Sequence, residues 1–96
     1  MTFRFLSPAL SEFSEAADYY EQQAEMGGEF VSEVDQTIER ILMFPLAWGK
    51  ISSDFHHCHL RKFPYTLIYM IENNDLVVIV SLFHQRRQPQ SWRQNL

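Results

Sequence analysis

The residues whose types and spacing carry chemistry lie in the second half of the chain. They are five cations, Arg61, Lys62, Arg86, Arg87 and Arg93, one imidazole, His84, and two rings beside them, Tyr65 and Trp92. Guanidinium and ammonium groups hold phosphate or carboxylate oxygens. An imidazole titrates near neutral pH and can give or take a proton. Aromatic faces can stack on a base. Each residue also has a plainer account. Cations at strand ends are ordinarily solvated surface. Tyr65 suits a packed strand position, and Pro89 and Trp92 suit a tail anchored against the domain, because a large ring buries much area.

A second cluster, His56-His57-Cys58-His59, invites a metal reading. On a strand His57 and His59 point to one side and Cys58 to the other, and no CxxC or HExxH spacing accompanies them. The expectation is therefore no metal and no other cofactor. Gly27-Gly28 lacks the lysine and spacing of a phosphate loop. Cys58 alternates with the core and has no partner for an internal disulfide, which fits a reducing compartment.

The elements that position these residues follow from periodicity. Residues 2–6 alternate Phe3 and Phe5 against Arg4, a strand pattern. Ser7-Pro8 marks a helix start, with serine as the cap. Leu10, Phe13, Ala17, Tyr20 and Ala24 form an apolar stripe, and Glu12, Glu15, Asp18, Glu21 and Glu25 fill the solvent side. Gly27-Gly28 ends this helix and permits a tight reversal. A second helix, residues 29–43, buries Phe30, Val34, Ile38, Ile41 and Leu42 and stops at Pro45. The two helices pack as an antiparallel hairpin whose apolar face must cover a sheet.

Residues 45–55 read as irregular. From 57 to 62, Cys58 and Leu60 alternate with His57, His59 and Arg61. Residues 65–71 and 76–83 are strands joined by an Asn73-Asn74-Asp75 turn. The second of them is apolar on both faces except for Ser81, as a central strand is. The predicted class is α+β, one domain over residues 1–96: an N-terminal strand, then a two-helix hairpin on a mainly antiparallel sheet of about four strands.

Bulk numbers bound the rest. The 96 residues are 46% hydrophobic and 15% aromatic, ample for one core. No uninterrupted apolar run is longer than residues 76–80, which falls far short of the roughly 20 residues of a membrane span. The first residues show no signal-peptide pattern, so the expectation is a cytoplasmic protein with no membrane contact. The net charge of −4 is segregated. Residues 1–49 hold nine acids against Arg4 and Arg40, a balance of −7; residues 50–96 hold six cations against Asp54, Glu72 and Asp75, a balance of +3. The acids are read as a solvated coat on the helices. The basic half could meet nucleic acid or an acidic peptide, since local potential governs such contacts.

Leu60-Arg61-Lys62-Phe63-Pro64-Tyr65 leading into a strand, followed by a strand ending His84-Gln85-Arg86-Arg87-Gln88-Pro89-Gln90-Ser91-Trp92-Arg93, resembles the RelE/ParE superfamily of bacterial toxins. The strand–helix–helix–sheet order also fits, so the resemblance spans almost the whole chain. It implies that residues 2–6 join the sheet. It further implies the toxin of a type II toxin–antitoxin pair, of the plasmid stabilisation kind, with a cognate antitoxin as partner and a homodimer or heterotetramer as the assembly. Two targets divide the superfamily: RelE-like members cleave messenger RNA in the ribosome, and ParE-like members poison DNA gyrase through a protein contact without catalytic residues.

For RNA cleavage, His84, Arg61 and Arg87 would be the catalytic group, with cations on the scissile phosphate. For a protein target, Lys62, Tyr65, Arg86, Trp92 and Arg93 would form the surface. The ParE-like branch is preferred. A net acidic chain with a pI near 5.4 is poorly suited to steering among ribosomal phosphates. His57 and His59 also stand at strand positions where the RelE-like pattern has cations. A domain that only complexes its antitoxin is a third reading.

Overall fold

The computed structural model describes residues 1–96. Strand β1 (Thr2–Phe5) leads into helix α1 (Ser7–Ala24) and helix α2 (Gly27–Met43). Strands β2 (His56–His59), β3 (Tyr65–Glu72) and β4 (Leu76–His84) follow, then a short 3₁₀ helix, Ser91–Asn95. The sheet order is β1-β4-β3-β2. Its β2–β3 and β3–β4 pairs are antiparallel, whereas β1 lies parallel to β4. The N-terminal strand therefore joins the sheet at one edge and β2 forms the other, with the apolar β4 between β1 and β3.

Both helices bury one stripe on the sheet. Phe30, Val34, Ile38 and Ile41 of α2 meet Ala9 and Ala16 of α1, and Leu67, Tyr69, Val77, Ile79 and Leu82 of β3 and β4. Full burial of such a side chain contributes about 1.5–3 kcal/mol. Phe30 sits at the middle of an aromatic group, 5.1 Å from the rings of both Tyr20 and Phe63 and 5.2 Å from Tyr65. Ile68 and Val80, on the other sheet face, pack with Trp92 in a smaller second cluster.

A bulge makes this two-sided arrangement possible. Ile68 pairs with Ser81 but Tyr69 pairs with Ile79, so Val80 is the extra residue on β4. Alternation slips by one, and Ile79 and Leu82 both reach the helix side while Val80 and Phe83 join the opposite cluster. Glu12 of α1 fills the bulge. Its Oε1 accepts from the Ser81 hydroxyl at 2.9 Å, the Leu82 N–H at 3.1 Å and the Asn95 amide at 3.0 Å, and Arg87 reaches its Oε2 at 3.4 Å.

Several local expectations are corrected. Ser7 is the first residue of α1 and caps nothing; Leu6 occupies the cap position and Pro8 lies in the first turn. The left-handed residue that closes α1 is Glu25, with φ 56°, and α2 already begins at Gly27, ahead of the predicted 29. Gly27 is needed for close approach: a Cβ there would lie 2.9 Å from the Glu21 Cβ and 3.1 Å from the Ala17 carbonyl oxygen. Leu10 is exposed, and Ala9 and Ala16 carry the buried line instead. Nor are all the acids solvated. Besides Glu12, Glu33 is 6% exposed, and both of its carboxylate oxygens accept the Lys62 N–H at 2.9 Å. The Asn73-Asn74 turn is as predicted, with φ of 52° and 62° and the Asp75 N–H donating to the Glu72 carbonyl. No helix is long and apolar enough to cross a membrane.

Candidate functional site

The sheet face away from the helices carries a cavity of about 360 Å³. β2 lends it His57 and His59, β3 Thr66, β4 Phe83, and the C-terminal tail Gln85, Arg87, Pro89, Gln90, Trp92 and Arg93. Period-two alternation puts His57 and His59 on this face while Cys58 turns into the core, where burial raises its thiol pKa against the opposing pull of Arg40 and Arg61. The two imidazole centroids are 4.8 Å apart. Burial lowers the pKa of His57, and the neighbouring His59 and His56 lower it further. His59 Nδ1 is 2.7 Å from the Thr66 hydroxyl.

His56 points the other way. It stacks on Tyr69, with centroids 5.2 Å apart, and its Nδ1–H donates to the Trp48 carbonyl at 3.1 Å. Trp48 in turn donates to the Arg40 carbonyl at the end of α2. These contacts tie residues 45–55 to the sheet edge, and from that segment Ile51 lines the cavity.

The tail is held rather than free. Trp92 is 3% exposed, its ring packed at 4.9 Å on Phe55, so its faces are occupied. Arg93 lies over that ring at 4.5 Å and donates to Gln90.

The other singled-out residues do not all gather at this cavity. His84 and Tyr65, paired across β3 and β4, stack edge-to-face at 5.2 Å. They line a separate hollow against α1, beside Glu15, Tyr19 and Arg87. Burial raises the pKa of Tyr65, with Tyr20 and Tyr19 adding to it and Arg87 opposing. His84 Nδ1 accepts the Arg86 N–H. Arg61 is exposed beyond β2 and lines neither space. Lys62 lines a third hollow, beside Ser32, Glu33 and Gln36 of α2. Arg87 and Phe83 line both the cavity and the α1 hollow, and Arg87 is the charged residue shared by them.

The sequence profile described as "ParE toxin of type II toxin-antitoxin system, parDE" matches residues 3–89. The chain belongs to the ParE toxin family. Among solved structures, the chromosomal ParDE toxin–antitoxin system of P. aeruginosa contains a chain of similar fold, with TM-score 0.75. The match covers 88% of this chain and 95% of that one at 11% identity. No curated protein sequence matches. The ParE-family fold accounts for the N-terminal strand, helical hairpin and four-stranded sheet. At 11% identity, however, side chains such as His57 and His59 must be read from this chain itself.

Proposed function

We propose that this ParE-family toxin inhibits DNA gyrase through a protein contact and is neutralised by a cognate antitoxin encoded beside it. The observation that carries this reading is the family match over residues 3–89. Geometry supports it from the other side. An RNA-cleaving centre built on His84, Arg61 and Arg87 needs them around one phosphate. His84 instead packs on Tyr65 against α1, Arg61 stands apart, and Arg87 is engaged by Glu12. The acidic net charge of −4 also disfavours steering into the ribosome. Lys62, Arg86 and Arg93 are exposed cations available to a protein target, with Tyr65 beside the α1 hollow; Trp92 contributes by holding the tail that presents Arg93.

A RelE-like endoribonuclease is the second reading, favoured by the cavity that brings His57, His59, Gln85, Arg87 and Arg93 together. The two separate on inducible expression of the chain alone in a bacterial host, with DNA, RNA and protein synthesis followed by pulse labelling. Early loss of DNA synthesis with gyrase-linked breaks is the expected outcome. Early loss of protein synthesis, abolished by His59→Ala or Arg87→Ala, would replace it with the ribonuclease. Normal growth would leave a domain that only complexes its antitoxin.

A further inference from the structure

We propose that His57 and His59 form a two-histidine site for a divalent transition-metal ion on the open face of β2. The His-x-His spacing carries little weight in a sequence, but a strand gives it geometry. Residues two apart share a face, and here the ring centroids are 4.8 Å apart with planes inclined by 32°. Imidazole suits ions of the zinc, nickel and copper group.

Each ring is held so that one nitrogen remains available. The Nε2 edge of His57 lies against Gly49, where a Cβ would come within 2.5 Å of it, which leaves Nδ1 as the donor. His59 Nδ1 is 2.7 Å from the Thr66 hydroxyl and 3.5 Å from the Gln85 side-chain amide, which leaves Nε2. His59 thus has the usual arrangement at metal sites, in which one nitrogen ligates while the other is hydrogen-bonded to a fixed oxygen that sets the tautomer and ring angle; the His57 ring is held by packing on Gly49 alone. On binding, His59 carries its proton on Nδ1 and donates it to the Thr66 oxygen.

No third His, Cys, Asp or Glu joins the pair. The remaining coordination positions therefore belong to water or to an anion. They open towards Gln85, Arg87 and Arg93 across the cavity. These guanidiniums oppose a bare cation, which weakens the site, and they favour an anionic co-ligand on the metal. Arg87 is partly offset by Glu12, 3.4 Å away.

The test is titration of the chelator-stripped, tag-free full chain with NiCl2, CoCl2, ZnCl2 and MgCl2 by calorimetry, with imidazole resonances followed by NMR. We expect one ion per chain, nickel tighter than cobalt, no heat from magnesium, and shifts confined to the His57 and His59 rings. His57→Gln or His59→Gln should each weaken binding at least tenfold, and Thr66→Val by about tenfold. Cys58→Ser should leave it unchanged. Wild-type shifts that fall on His56 or His84, two chains per ion, loss of binding in Cys58→Ser, or undiminished binding in both histidine variants would overturn the site. The NMR readout uses wild-type protein and so does not depend on whether a variant folds; melting curves of the metal-free variants identify any that do not. Toxicity plays no part in these measurements, so the metal site and the proposed target stand or fall separately.

Discussion

At the residue scale, two carboxylates that composition assigns to the solvent do structural work. Glu12 and Glu33 occupy equivalent places in their helices. Glu12 lies three residues after Ala9 and four before Ala16; Glu33 lies three after Phe30 and four before Thr37. Both are therefore on the buried stripe, and helical periodicity alone could have flagged them. Neither spacing nor composition names their partners, which come from β4, the tail and the β2–β3 connection. Glu12→Ala removes the acceptor for four donors at once. The Ser81 hydroxyl and Leu82 N–H are left unpaired at about 1–3 kcal/mol each, partly relieved by water, while Asn95 keeps the Val80 carbonyl and Arg87 is exposed. The expected loss is about 2–3 kcal/mol, read as a lower urea midpoint with an unchanged slope.

Tyr69 supplies the pH dependence. Its hydroxyl donates to the Pro45 carbonyl at 2.6 Å, and burial, with Cys58 adding to it, raises its pKa well above the usual 10.0. The folded state thus keeps a proton that the unfolded chain releases. Its contribution is complete below pH 10 and is lost as pH rises from there towards the folded value. Urea midpoints measured from pH 8 to 12 should fall on the alkaline limb. Tyr69→Phe should be less stable at pH 8 by about 1 kcal/mol yet show a shallower alkaline fall. A residual slope remains because burial also raises Tyr20 and Tyr65.

At the element scale, the α1–α2 connection separates two adjacent glycines. Gly27 is buried against Ala17 and Glu21, while Gly28 has nothing near its Cβ position. Gly28→Ala should stabilise by about 0.4–1 kcal/mol by restricting the unfolded chain; Gly27→Ala should destabilise, because backbone must move. Glu25 holds a left-handed conformation that costs an L-residue about 1–2 kcal/mol, so Glu25→Gly should raise the melting temperature. Scanning calorimetry of the three variants checks all three signs. A glycine pair signals a reversal in any sequence. Which glycine is needed for close approach, and that a glutamate takes the left-handed position, depends on how near the second helix passes to the first.

At the scale of the whole molecule, the family reading predicts mass-action stabilisation. A cognate antitoxin selective for the folded toxin should add about 2.7 kcal/mol at a hundredfold excess over its Kd. Thermal melts with and without the purified antitoxin measure it, and identical melting temperatures would sink that part of the proposal. The same scale explains the division among the candidate residues. Arg61, Lys62, His84 and Arg93 are close in type and all lie in the last 36 residues. They nonetheless face different spaces: solvent, α2, α1 and the open cavity.

The sequence by itself determined the elements and the family. Three-and-four spacing, period-two alternation, Asn-Asn turns and the Phe63-Pro64-Tyr65 entry are local, and short-range sterics and burial act on them directly. Three things were decided only by the tertiary structure. The parallel seat of β1 beside β4 joins residues more than 70 positions apart, such as Thr2 and Leu76. The Val80 bulge reverses which face Leu82 and Phe83 present. The cavity then gathers His57, His59, Thr66 and the anchored tail. Each depends on strand register, and register is set by the packing of both sheet faces together; a single strand read in isolation carries no record of its neighbour's alignment.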